Sequence, residues 1–165
     1  MIKSLLDVNV LMDFLLVRDD YEDAAHIMNL AGRREFKAFA SAHEITTLAY
    51  FLEKSDRSRG EVRQKISKLF GLIEILPVDQ GIIEKAMNSR ITDFEDAVLE
   101  SVSIKHGMDF IITRDMKDFT HSKVEAVNPR FFLKLLQKKD PGDMVKEPTA
   151  SYRTRPRRRS KKKQS

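Results

Sequence analysis

Short apolar runs alternate with amphipathic helical patterns along most of the chain. Five runs predict strands: IKSLL, EFKAFASA (ending near Ser41), IEILPV, DFIIT and, as a last strand at an edge of the sheet, KVEAV. Periodic patterns predict helices at residues 9–17, 21–32, 41–55, 60–71, 79–89, 93–106 and 129–139. Strands that alternate with helices favour a parallel sheet with helices on both faces. We therefore predict an α/β fold in three layers, α/β/α, with a central parallel sheet.

The end of the chain differs from the rest in composition. Periodic patterns stop beyond Lys139, and the last fifteen residues contain eight Lys or Arg and no acid. Subtracting these eight from 30 basic residues leaves 22 against 25 acidic residues, so the first 150 residues carry a net charge of −3. We predict one folded domain at 1–138 and a disordered basic tail at 139–165. The tail either binds polyanions such as nucleic acid or is a solubilising appendage.

The composition also excludes several classes of protein. The chain has no cysteine, which excludes disulfides, thiolate metal ligands and cysteine nucleophiles. Acidic residues interrupt the apolar N-terminal segment and no small-residue cleavage site follows, so we expect no signal peptide. No run approaches the roughly 18–20 apolar residues of a membrane span. We expect a cytoplasmic protein with no membrane association.

Several acidic residues are predicted to lie at the carboxyl ends of the strands, which is the edge where open parallel sheets bind ligands. Asp7 comes directly after the first strand, and Asp115 comes shortly after DFIIT. Glu44 lies in the first turn of the helix that follows the second strand. Asp96 lies in the first turn of the helix before DFIIT, and that turn should face the same edge, because helix and strand run antiparallel in a βαβ unit. These four acids are expected to converge.

The segment TDFEDAVLESVSIKHG crowds acids into the start of its helix. Thr92 and Glu95 fit a capping box, and the helix dipole favours Asp93 near the start. A helical wheel predicts a buried face and an acidic flank: Phe94, Ala97, Val98, Ser101 and Val102 on the face, with Asp93, Asp96 and Glu100 on the flank. Capping does not account for Asp96. The flank is therefore either a solvated acidic face or part of a cation site.

Several carboxylates in one crevice remain ionised only if something offsets their repulsion. A hard divalent cation does so through oxygen ligands, and magnesium or manganese keeps positions open for water and a substrate phosphate. Such an ion polarises a phosphoryl oxygen and lowers the pKa of a bound water. An acidic body with a basic tail is thus consistent with phosphodiester chemistry.

Three segments together resemble the PIN domain family, particularly its VapC-like toxin ribonucleases: LLDVNVLMDFLL, SAHEITTLAYFL and TDFEDAVLESVSIKHGMDFIITRDMKDF. The resemblance spans residues 1–137 and keeps the acids in the order of the family. It implies an endoribonuclease, dependent on Mg²⁺ or Mn²⁺, that hydrolyses RNA, leaves a 5′-phosphate and commonly forms a homodimer. For a type II toxin it further implies a small antitoxin that inserts Arg among the carboxylates.

The resemblance implies a single set of catalytic residues that also bind the metal ion: Asp7, Glu44, Asp96 and Asp115. The first and third of these would be the principal ligands. Asn9 matches a position that orients the first aspartate, and Thr113 is expected to hydrogen-bond a ligand or phosphate. Asp93 is either a helix cap or an accessory ligand. The basic tail is not part of the family pattern, and many relatives have Asn in place of Asp115.

The other acids and the histidines have weaker patterns. Asp13, Asp118 and Glu100 are expected to be structural residues or supports of the site. The histidines at 26, 43, 106 and 121 lack the spacing of metal ligands, so we expect surface or packing roles. His43 is the one worth testing, because Glu44 follows it.

Two other functions fit parts of this pattern. A catalytically silent PIN-like module would bind RNA or a protein through the tail and the dimer face. Its binding would be lost on removal of residues 151–165 and would be insensitive to a chelator. A phosphate-accepting receiver domain also places Asp at strand ends, but it needs a Lys at the end of a later strand, where this chain has Arg114 and Asp115.

Overall fold

A computed structural model describes residues 1–55 and 58–137 of the chain. These residues form five strands and seven helices in the order β1 (Lys3–Leu6), α1 (Val8–Leu16), α2 (Tyr21–Gly32), β2 (Lys37–Ser41), α3 (Ala42–Lys54), α4 (Arg59–Leu69), β3 (Glu74–Leu76), α5 (Gln80–Met87), α6 (Phe94–His106), β4 (Phe110–Ile112), β5 (Glu125–Val127) and α7 (Pro129–Gln137). No helix in this part of the chain is long and apolar enough to cross a membrane. The predicted domain boundary and the predicted tail at 139–165 lie outside the described residues.

The five strands form one parallel sheet in the order β3-β2-β1-β4-β5. Strand β1 is central, and its Leu5 pairs with Phe39 of β2 on one side and Ile111 of β4 on the other. The chain adds β2 and β3 on one side of β1 and then crosses to add β4 and β5 on the other. The carboxyl ends of β1 and β4 therefore flank the point where ligands bind in open parallel sheets.

Helices cover both faces of the sheet, because successive side chains of a strand point to opposite faces. Leu6, Ala38 and Ile112 face the core formed with α1, α2, α3, α4 and α7. Leu5 and Ile111 belong to the second core, formed with α5 and α6. Burial of a Leu or Ile side chain stabilises the fold by about 1.5–3 kcal/mol. The predicted three-layer α/β/α architecture is confirmed.

The start of α6 differs from the predicted one. Asp93 is the N-cap, and its Oδ1 accepts hydrogen bonds from the backbone N of Glu95 at 2.8 Å and of Asp96 at 3.3 Å. The predicted capping box that begins at Thr92 is therefore wrong, as is the burial of Phe94, whose exposed fraction is 52%. Aspartate is at least as good an N-cap as threonine, so the helix begins one residue later.

Candidate metal centre

Asp7 connects β1 to α1 and is buried. Its Oδ1 accepts a hydrogen bond from the backbone N of Asn9 at 3.0 Å, which caps α1, and its Oδ2 accepts one from the hydroxyl of Thr113 at 2.5 Å. Burial raises the pKa of Asp7, although the bonds from Thr113 and Asn9 oppose that rise. Asn9 and Thr113 both hold the carboxylate in place. Thr113 was expected to hydrogen-bond a ligand or a phosphate, and in the structure its hydroxyl bonds to the carboxylate of Asp7.

Glu44 lies at the start of α3 and is 2% exposed. It forms a capping box with Ser41, in which Glu44 Oε2 accepts from Ser41 N at 3.0 Å and Glu44 N donates to Ser41 Oγ at 3.2 Å. Its Oε1 is buried and has no hydrogen-bond partner among the described residues. Burial raises the pKa of Glu44 well above its usual value, and the nearby charge of Asp7 raises it further. A buried oxygen of this kind favours a bound proton or cation.

Asp96 lies in the first turn of α6 and is half-buried. Burial is the main cause that raises its pKa to about 7. The negative charges of Asp93, Asp7, Asp118 and Glu95 contribute as well. Carboxylates from separate elements therefore act on one another here, as the connectivity of the sheet predicts.

One pocket of about 150 Å³ brings these acids together. Seven acidic residues line it: Asp7, Glu44, Asp93, Glu95, Asp96, Asp115 and Asp118. All four acids predicted as catalytic are in this set, together with Asn9 and the predicted accessory Asp93. Thr113 lies behind Asp7 and not on the wall. Within residues 1–55 and 58–137, no Lys or Arg lines this acidic pocket.

The chemistry of the wall fits a hard divalent cation. Its charged donors are carboxylate oxygens, which are the ligands that Mg²⁺ and Mn²⁺ prefer. The Oε1 of Glu44 has no partner among the described residues, and burial followed by neighbouring acids raises the pKa values of Asp7 and Asp96, so a bound cation would stabilise the charged form of these carboxylates. Among the described residues, no three His, Asp or Glu side chains already form a set that could hold an ion. The acids surround the pocket and do not constitute a finished coordination shell.

The loop after β4 carries Asp115 at the surface and is fixed by its neighbours. The backbone N of Asp115 donates to Thr113 Oγ1 at 3.0 Å. The guanidinium of Arg114 contacts Asp13 Oδ1 at 2.7 Å and Asp20 Oδ2 at 3.3 Å. Asp13 is fully buried and lies away from the acidic pocket. Asp118, expected to be a structural or supporting residue, lies on the wall of the pocket.

Two residues of the pocket had little signal in the sequence. His43 Nε2 lies 3.1 Å from Glu95 Oε1, and Thr47 Oγ1 donates to the same oxygen at 3.2 Å. These contacts join α3 to α6 beside the acids. The only clue to His43 was its position before Glu44, and Glu95 looked like a capping residue.

The sequence matches a known family over most of the folded part of the chain. The profile of the PIN domain family matches residues 3–117, which is more than half of the chain and includes six of the seven acids of the pocket, all but Asp118. The chain belongs to the PIN domain family. No curated protein matches its sequence.

Solved structures have the fold of this PIN domain. VapBC2 from Rickettsia felis, bound to a promoter DNA fragment, has a TM-score of 0.60 and 16% identity, and the match covers 77% of this chain and 98% of that chain. Mycobacterium tuberculosis VapC20, a sarcin–ricin loop cleaving toxin, has a TM-score of 0.56 and 16% identity, with 74% and 98% covered. A toxin–antitoxin complex from Klebsiella pneumoniae has a TM-score of 0.61 and 20% identity, with 76% and 97% covered. At these identities the likeness concerns the fold.

Proposed function

We propose that this PIN domain is an endoribonuclease that hydrolyses RNA phosphodiesters with Mg²⁺ or Mn²⁺. The observation that carries the proposal is the pocket lined by seven acids and no Lys or Arg among the described residues. Without a cation, such a pocket repels a nucleic acid backbone, and the buried oxygen of Glu44 has no partner. With a cation it attracts phosphates.

The residues that would hold the ion are Asp7 and Asp96 as principal ligands, with Glu44 and Asp115 completing the set. A bound divalent cation supplies positive charge, polarises a phosphoryl oxygen and acidifies water. Thr113 and Asn9 keep the Asp7 carboxylate in one orientation through their hydrogen bonds to it. Such supporting contacts are typical of metal ligands in proteins.

Asp115 is the most exposed of the four, so we assign it the orientation of the attacking water. Water oxygen forms a bond to phosphorus and the bond from phosphorus to the 3′-oxygen breaks. The products are a 5′-phosphate and a 3′-hydroxyl. The Glu44 carboxylate is anchored to Ser41 through one oxygen, which leaves the other for the ion.

We further propose that the chain is the toxin of a type II toxin–antitoxin pair, acts in the cytoplasm and forms a homodimer. The proposal draws on the likeness to the Klebsiella pneumoniae toxin–antitoxin complex and to VapBC2. A small antitoxin with an exposed Arg would complement the acidic pocket, because guanidinium and carboxylate pair through two hydrogen bonds. The predicted basic tail at 139–165 would add sequence-independent affinity for RNA.

The test compares the native chain with Asp7→Asn on a mixture of structured and single-stranded RNA, in magnesium, in manganese and in a chelator. Asp19→Asn removes an exposed acid outside the pocket and serves as the matched control. We expect cleavage by the native and control proteins with metal only, and none by Asp7→Asn. Full activity of Asp7→Asn would refute the proposal. Intact RNA in every lane, with binding that needs residues 151–165, would instead support a silent RNA-binding module.

A further inference from the structure

A second pocket, of about 260 Å³, adjoins the acidic pocket and has basic side chains in its wall, which the acidic pocket lacks among the described residues. It is lined by Arg90, Ile91, Thr92, Asp93, Lys117, Asp118, Thr120 and His121. Its two acids, Asp93 and Asp118, also line the acidic pocket and form the wall between the two. Its remaining residues are two cations, a histidine, two threonines and an isoleucine. We call it the basic pocket.

The cations of the basic pocket are available to a ligand. Arg90 and Lys117 are both exposed, and neither side chain forms an ion pair or hydrogen bond with another described residue. The charge of Lys117 acts on the adjacent Asp118, where it opposes the rise in pKa that burial and Asp115 cause. Arg114, in the same loop as Lys117, is by contrast paired with two carboxylates. Two unpaired cations beside a group of acids are positioned for an anion that comes from outside the chain.

The walls of the basic pocket are held by a buried carboxylate. Glu100 of α6 is 4% exposed and accepts a hydrogen bond at each oxygen. The hydroxyl of Ser89 donates to Oε2 at 2.7 Å, and the backbone N of Lys123 donates to Oε1 at 2.7 Å. Ser89 precedes Arg90, and Lys123 follows His121 by two residues. Glu100 therefore ties the segment that leads into Arg90 to the loop that follows Lys117, and a fixed site loses less entropy when it binds.

We propose that the basic pocket binds a backbone phosphate of the same RNA strand that is cut in the acidic pocket. This inference rests on the proposed function, because the strand must reach the acids. The Arg90 guanidinium can make two parallel hydrogen bonds to a phosphate, while Lys117 acts as a point charge. Such contacts fix the register of the strand without reading its sequence. The wall of Asp93 and Asp118 places this anchor next to the reacting phosphate.

The experiment uses the full chain with Arg90→Gln and Lys117→Gln combined. The matched control combines Arg63→Gln and Lys134→Gln, which removes the same charge from exposed positions on α4 and α7, on the other face of the sheet. Cleavage kinetics give kcat and KM. In an Asp7→Asn background, fluorescence anisotropy of a labelled single-stranded oligoribonucleotide gives the dependence of Kd on salt.

We expect KM of the pocket variant to be about tenfold higher than that of the native chain, because the variant loses roughly one charged hydrogen-bonded contact to the RNA. Its kcat should stay within about twofold of the native value. The slope of log Kd against log salt should fall by about 0.7 for one lost phosphate contact. The control pair should match the native chain in both. Arg90→Lys, made alone, keeps the charge but loses the paired hydrogen bonds, so its KM should lie between those of the native chain and the pocket variant, which a structural role of the guanidinium would not predict.

The outcomes separate this inference from the function on which it rests. If the native chain cleaves RNA, Asp7→Asn does not, and the pocket variant matches the control pair, the inference is overturned while the nuclease stands. If no protein cleaves but the pocket variant alone loses salt-dependent binding, the nuclease is refuted and the phosphate pocket is retained. Thermal unfolding of both double variants should equal that of the native chain, because the four side chains are exposed.

Discussion

The hydroxyl of Thr113 donates a hydrogen bond to Oδ2 of Asp7 at 2.5 Å. The same oxygen of Thr113 accepts a hydrogen bond from the backbone N of Asp115 at 3.0 Å. Strands β1 and β4 are neighbours, and these bonds connect their carboxyl ends. One threonine thus links two of the four acids to which we assign the ion.

Thr113→Val should impair the site while it preserves the shape of the side chain. Loss of the donor leaves a buried carboxylate oxygen without its partner and raises the pKa of Asp7 further, because the bond from Thr113 lowers it. We expect a loss of about 1–3 kcal/mol in unfolding free energy, the cost of an unsatisfied buried group. Cleavage should fall about tenfold or more, as for other supports of metal ligands. Thr113→Ser retains the hydroxyl and should behave like the native chain. Equal activity of Val and Ser variants would contradict this assignment.

The meeting of Asp7, Glu44, Asp96 and Asp115 at one pocket was predictable from connectivity. In a parallel sheet, strand ends and the starts of the returning helices share one edge, so residue order alone places the acids there. The capping box of α3 was predictable for a similar reason, because its partners are three residues apart.

Contacts between distant segments were not predictable. Glu100 was expected on an acidic flank, but its partners Ser89 and Lys123 come from two loops whose approach depends on the packing of α6. The start of that helix was misplaced because Thr92 and Asp93 are adjacent and both are good caps. Local patterns therefore locate an acid in the fold, and only tertiary packing decides what it contacts.

Arg114→Gln should destabilise the fold more than the exposure of its side chain suggests. Asp13 is fully buried, its Oδ1 depends on Arg114, and its Oδ2 has no partner among the described residues. Breaking a buried ion pair costs about 3–5 kcal/mol, and we expect about 1–3 kcal/mol here because Arg114 is partly exposed. Asp20→Asn, which removes its exposed partner, should cost under about 1 kcal/mol. Urea unfolding measures both. Asp13→Asn with Arg114→Gln should recover stability, since no charge is left unpaired, and failure to recover would contradict the explanation.

Metal binding should stabilise the folded chain in a pH-dependent way. Asp7, Glu44 and Asp96 have raised pKa values, so at low pH an ion must displace protons from them. When the free ion concentration is about a hundred times its Kd, binding adds about 2.7 kcal/mol to the free energy of unfolding. We expect a higher Tm in manganese than in chelator at pH 8, and a smaller difference at pH 6. Asp7→Asn should reduce the difference at pH 8. Identical melting in manganese and chelator at pH 8 would contradict a metal site.

Asp96→Asn should stabilise the metal-free chain at neutral and alkaline pH. The folded chain holds a proton on Asp96 up to a pKa of about 7, whereas the unfolded chain releases it near 3.8. The folded state therefore binds more protons between these pH values, and its stability falls as pH rises through this window. Because asparagine does not titrate, Asp96→Asn should raise the free energy of unfolding at pH 8 by about 1–2 kcal/mol. This figure is reduced from the full pKa difference because solvent screens a half-buried group. Urea unfolding in chelator at pH 4 and pH 8 measures the change, with Asp19→Asn as control. A gain for Asp96→Asn that is no larger at pH 8 than at pH 4 would show that burial and the neighbouring carboxylates do not raise the pKa of this group.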